Sequence, residues 1–110
     1  MAYSPSSPYS IGVDVGGTKV LGGVVDQKGN VVAQARRDTP RQGGAVLTRT
    51  IADVALELMG SHEIASIGIS AAGFVSSDRK TMLATPNIAG WNGVNLDAEI
   101  ETLIGLPVVI

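Results

Sequence analysis

Ile11-Gly12-Val13-Asp14-Val15-Gly16-Gly17-Thr18-Lys19 is the stretch that decides how this chain folds. From Ile11 to Val15 the apolar β-branched residues alternate with Gly12 and Asp14, the period-two pattern of a β-strand. Gly16-Gly17-Thr18 then turns the chain into a second strand, Lys19 to Val25. The turn Asp26-Gln27-Lys28-Gly29-Asn30 leads to a third, Val31 to about Arg37. Three strands joined by short polar turns read as an antiparallel meander.

Upstream, Met1 to Tyr9 is Ser/Pro-rich and aperiodic, and reads as a flexible tail. Downstream, Thr39-Pro40 breaks the strand pattern. Leu47, Ile51, Val54, Ala55 and Leu58 then recur at helical spacing, with Arg49, Asp53 and Glu57 on another face. This predicts an amphipathic helix over about 45–59, stopped by Gly60. A fourth strand follows, about 66–71. Gly73 to Gly93 is rich in Gly, Asn, Ser and Thr, and predicts an irregular excursion or a small hairpin. Asn95 is placed to cap a second helix with Asp97 and Glu99 in its first turn. Leu96, Ile100, Leu103 and Ile104 form its expected buried stripe. Gly105 and Pro107 end it, and Val108-Val109-Ile110 starts a fifth strand. Strands joined through helices are expected to run parallel to the first, giving an α/β sheet of mixed direction.

The 110 residues correspond to one domain or a piece of one. With 45% apolar and 16% charged residues the chain can build a packed core. No apolar run reaches the roughly 18–20 residues of a membrane span, and no basic residue precedes an apolar stretch at the start, so neither membrane anchor nor secretory signal is expected. A net charge of −2 argues against a nucleic-acid partner. Absence of Cys excludes disulfides and thiolate zinc sites within these residues, and the composition fits a cytoplasmic protein.

The turn after the first strand carries the chemistry. Two glycines let backbone N–H groups approach a polyanion without Cβ obstruction, Thr18 adds a hydroxyl, and Lys19 offers a compensating charge. Asp14 would repel a phosphate unless a divalent cation, held directly or through its waters, lay between them. The turn therefore reads as a site for a magnesium-bound nucleotide, with Asp14 as the Mg residue. Two related patterns fail. The P-loop order Gly-Lys-Ser/Thr is not met, because Thr18-Lys19 are reversed and a strand follows where that motif needs a helix. The dinucleotide pattern G-x-G-x-x-G is absent at this turn. A plain hairpin requires neither a strand-end Asp nor two consecutive glycines.

A second segment, Ile67-Gly68-Ile69-Ser70-Ala71-Ala72-Gly73, echoes the first in step. If the two strands are parallel, both glycine turns emerge at one edge of the sheet, where open α/β sheets bind ligands.

Gly12-Val13-Asp14-Val15-Gly16-Gly17-Thr18-Lys19 resembles the first phosphate motif of sugar kinases in the ROK family (repressors, open reading frames and kinases). The resemblance continues through Gly68 to Gly73, Thr85-Pro86-Asn87 with Trp91, and Leu106-Pro107-Val108. It covers about 10–110 and is nearest to the bacterial glucokinases. It implies the actin-like, ribonuclease-H-like ATPase fold, with 10–110 as the N-terminal small lobe. It also implies ATP-dependent phosphorylation of a hexose, glucose above all, with ATP phosphate contacts at Gly12, Asp14, Gly16, Gly17, Thr18 and Lys19. Gly73 and Phe74 correspond to a sugar-facing loop. Asn87 corresponds to a residue that hydrogen-bonds sugar hydroxyls, a task suited to an amide that both donates and accepts. Family members that act on N-acetylmannosamine often carry Arg after the glycine equivalent to Gly73. Phe74 here favours an unsubstituted hexose, with fructose, allose, N-acetylglucosamine and a polyphosphate donor left open.

Phosphoryl transfer to a hydroxyl also needs a carboxylate to accept the proton. The resemblance places that Asp after the fifth strand, beyond Ile110, together with a structural zinc segment. Asp78 and Asp97 read as surface charges, Trp91 as a packing residue and His62 as solvated. The chain alone is accordingly expected to be inactive, and the full-length protein to be a homo-oligomer. The alternatives are a sugar-responsive regulator of the same family and another actin-like ATPase. The regulators carry a helix-turn-helix ahead of the first strand, for which the nine residues before Ser10 are too few. The Gly73 loop and Thr85-Pro86-Asn87 favour a sugar partner over the second alternative.

Overall fold

The computed structural model describes residues 4–16, 18–40, 44–71, 74–75, 82–84 and 96–110. In chain order the elements are β1 (Ser10–Val15), β2 (Lys19–Val25), β3 (Val31–Asp38), α1 (Gly44–Met59), β4 (Ile67–Ala71), β5 (Phe74–Val75), β6 (Met82–Ala84), α2 (Leu96–Ile104) and β7 (Val108–Val109). Five strands make one sheet in the order β3-β2-β1-β4-β7. The first three form the expected antiparallel meander, while β4 runs parallel to β1 and β7 parallel to β4. β5 and β6 pair antiparallel in a separate two-stranded sheet, the small hairpin expected between the two helices.

Alternation along β1 sorts its side chains cleanly. Ile11, Val13 and Val15 are buried, whereas Gly12 and Asp14 are exposed. The buried set faces α1, whose Leu47, Ile51, Val54, Ala55 and Leu58 are all buried, so the helical stripe read from the sequence is the core face. Each large aliphatic side chain removed from water in this way contributes roughly 1.5–3 kcal/mol before the entropic cost of ordering it. Gly22 on β2 lies directly beneath the helix. A Cβ built there would stand 2.4 Å from Val54 Cγ1 and 3.0 Å from Leu58 Cδ1, so the missing side chain is what lets α1 seat. On the opposite face Gly23, Gly12 and Gly68 stand level on three adjacent strands, and a Cβ at Gly12 or Gly68 would meet nothing within 4 Å.

The turns follow from local chemistry. Asp26 Oδ1 accepts the backbone N–H groups of Lys28 and Asn30, each at 2.9 Å, and Gly29 takes a positive φ of 87° between them. Gly105 ends α2 with φ 78°, a conformation that costs glycine little.

Three sequence expectations differ from the structure. Leu103 is 38% exposed and does not join the buried stripe of Ile100 and Ile104. At 3.6 residues per turn it lies about 100° around the helix from Ile104, off the edge of the stripe. His62 is half-buried, its ring edge-on to Tyr9 with centroids 4.7 Å apart, and its Nδ1 lies 2.8 Å from Ser61 Oγ. An aromatic partner 53 positions upstream leaves no local sequence signal. The segment Ser4–Tyr9, expected to be loose, is bonded along its length. Ser4 N donates to the Ile64 carbonyl at 3.0 Å, Ser7 Oγ to the Glu63 carbonyl at 2.5 Å, and Ala65 N to the Tyr9 carbonyl at 2.9 Å.

Candidate functional site

The register between β1 and β4 positions the site. Ile11 pairs with Ile67, Gly12 with Gly68, Val13 with Ile69, Asp14 with Ser70 and Val15 with Ala71. The sequence echo is thus an aligned pair of neighbouring strands, and their carboxyl ends lie side by side. A one-residue change in pairing would move every side chain to the other face, so this alignment is what puts Asp14 and Ser70 together on the open side. Leu21 of β2 flanks Asp14 from the other side. Among the described residues no hydrogen bond or ion pair engages the Asp14 carboxylate, which is exposed to solvent.

The turn that follows is closed by Gly16 N donating to the Lys19 carbonyl at 2.9 Å. A Cβ on Gly16 would come within 3.2 Å of that same oxygen, a close approach that favours glycine. Gly17 lies outside the described residues. Gly12 sits in the middle of β1, on the open face and not in the turn. Lys19 does not stand as an unpartnered cation beside the turn: its Nζ is paired with the Asp38 carboxylate at the end of β3. That hydrogen bond, then the charge of Lys19, and then the more distant charge of Arg36 hold the Asp38 carboxyl below the usual aspartate range.

Thr39 makes the other link between β3 and the turn. Its hydroxyl donates to the Gly16 carbonyl at 2.8 Å and its amide to the Thr18 carbonyl at 2.9 Å. Sequence reasoning took Thr39-Pro40 only as the end of a strand and assigned Asp38 no part. The available signal was spacing: in an antiparallel meander the third strand must end beside the turn between the first two.

A trough of about 1010 Å³ extends from Asp14 and Ser70 across the open face, floored by Gly12, Gly23 and Gly68 and bounded by Val109. Asp14 borders this trough, whereas Gly16, Thr18 and Lys19 lie outside its described lining. Phe74 is in β5, paired with Ala84, and nothing of its side chain is described. Gly73, Asp78, Asn87, Trp91 and Asn95, with the Thr85-Pro86 step, fall outside the described residues, as does the side chain of Asp97.

The model of the ROK family matches residues 10–110. The chain belongs to the ROK family. The glucokinase of Streptomyces coelicolor is 41% identical to it over 101 residues, covering 92% of this chain and 31% of the relative. A crystal structure of a ROK-family glucokinase from Streptomyces griseus, in complex with glucose and AMPPNP, superposes with a TM-score of 0.86 at 37% identity, over 93% of this chain and 32% of that one. A ROK-family transcriptional regulator, a homologue of the E. coli MLC protein, superposes with a TM-score of 0.79 at 19% identity, over 92% of this chain and 26% of that one. The fold is therefore the actin-like ATPase fold of ROK sugar kinases. The regulator shares it, so chain topology by itself does not separate kinase from regulator. This chain spans about a third of the length of its glucokinase relatives.

Proposed function

We propose that the full-length protein containing this chain transfers a phosphoryl group from ATP to a hexose hydroxyl, with glucose as the acceptor and glucose 6-phosphate as the product. The observation that carries this reading is the aligned β1–β4 pair. It leaves the Asp14 carboxylate, which has no partner among the described residues, at the carboxyl end of a central strand beside a tight glycine turn. Similarity to glucokinases, one of them crystallised with glucose and AMPPNP, supports it.

In this reading the turn binds the phosphates through its amides and the Thr18 hydroxyl, while Asp14 faces a cation on the phosphate chain. An exposed carboxylate with no partner among the described residues suits Mg²⁺, a hard ion that keeps most of its waters. The ion would neutralise phosphate charge there. Zinc does not fit this segment: the chain has no Cys and one His, and no cluster of three metal-ligating side chains occurs among the described residues. Gly73, Phe74 and Asn87 are the proposed sugar contacts. No described helix is long and apolar enough to cross a membrane, and a kinase drawing on ATP and free hexose belongs in the cytoplasm. We assign no nucleic-acid partner, and a homo-oligomer is the proposed state of the full-length protein.

The test is glucose-dependent ADP release by the full-length protein. Asp14→Ala should lower kcat/KM by about a hundredfold or more, the scale of losing one preorganised electrostatic contact at a reacting phosphate. No ADP release with glucose, fructose, mannose or N-acetylglucosamine would remove the kinase reading. Unchanged turnover by the variant would remove Asp14 from it.

A further inference from the structure

We propose that Thr39 is a positioning residue for nucleotide binding, holding the glycine turn in its ligand-ready shape from outside the turn. The inference rests on reading that turn as the phosphate site. A glycine-rich turn has the widest choice of backbone conformations, so its amides converge on an anion only if something else restricts them. Thr39 does so at two points on either side of Gly17. Its hydroxyl holds the Gly16 carbonyl at 2.8 Å, and its amide holds the Thr18 carbonyl at 2.9 Å.

Both contacts engage carbonyl oxygens, the groups that would repel a phosphate if they swung towards it. A trans peptide carries its C=O and N–H on opposite sides, so an anchored carbonyl also orients the peptide unit that it belongs to. Turn amides fixed before the ligand arrives need not be ordered on binding. The neighbouring Lys19–Asp38 pair ties the same two elements together, but its side chains are 48% and 84% exposed and solvent weakens it. The Thr39 hydroxyl contact is part-buried.

Thr39→Val removes the hydroxyl while retaining both the branched shape and the backbone amide, and so isolates the Gly16 contact. In the full-length protein it should raise the KM for Mg-ATP by about three- to tenfold, the range covered by one neutral hydrogen bond. The KM for hexose and the kcat should change much less, and Thr39→Ser should restore the wild-type nucleotide KM. An unchanged nucleotide KM in a folded Thr39→Val protein would overturn the proposal, as would a parallel rise in both KM values or failure of Ser to restore binding. If Thr39→Val does not fold, Thr39→Ala against Thr39→Ser supplies the same comparison. A wild-type protein that neither binds nor consumes ATP gives a separate result, visible before any variant is made. It would overturn the phosphate-site reading and this proposal with it.

Discussion

Asp38 faces Lys19 across the paired ends of β2 and β3, with solvent around both. The hydrogen bond from Lys19 comes first, and its charge second, in holding the Asp38 carboxyl below the ordinary aspartate value of 3.8. A carboxylate with a depressed folded-state pKa contributes stability above its unfolded pKa, and loses it as pH falls through the lower folded value. The contribution is therefore present at neutral pH and lost only at strongly acidic pH, and exposure keeps it small. In an NMR titration of side-chain carboxyls, Lys19→Met should raise the Asp38 midpoint towards 3.8. Asp26 should stay depressed in that variant, because backbone N–H donation from Asn30 leads the causes of its shift. An Asp38 midpoint that ignores the loss of Lys19 would contradict the pairing. Lys19 was legible as a charge beside the turn; its neutralising partner was not, because the two meet only once β3 has paired with β2.

At the scale of elements, the seat of α1 on β2 is set by a side chain that is missing. Gly22→Ala would drive a methyl group into Val54 Cγ1 and against Leu58 Cδ1. Overpacking of this kind costs about 1–3 kcal/mol, and urea denaturation should show it as a lower midpoint. Val54→Ala in the same chain should recover part of the loss, making the pair non-additive, since it removes the atom that is struck. Additive losses would mean that the helix had moved instead. Strands β1 to β4 and helix α1 were legible because period and turn residues agree in each. Leu103 and His62 were not. The first sits at the margin of a stripe, where spacing alone does not decide between core and solvent, and the second depends on Tyr9, brought near only by the completed fold. In the site, the Asp14 face and the glycine turn could be read from local pattern, while Thr39 required the third strand to be in place.

For the molecule as a whole, the proposed kinase activity is expected to need more than this segment. This chain spans about a third of the length of its glucokinase relatives, and the proton-accepting carboxylate of the proposed kinase is expected beyond Ile110. The purified 110-residue chain should release no ADP from ATP and glucose under conditions in which the full-length protein does. Turnover by the short chain would require a base within it, with Asp14 the first to test. The side-by-side pairing of β1 and β4 has one more consequence, for assembly. Were β1 to dock one position out of step, Asp14 would be carried beneath the helix, and Ile11, Val13 and Val15 turned into water. Burying an unpaired carboxylate is costly enough to reject that arrangement. The same aspartate that is proposed to face the nucleotide's cation thus also proofreads the folding chain, penalising the wrong alignment before any nucleotide is present.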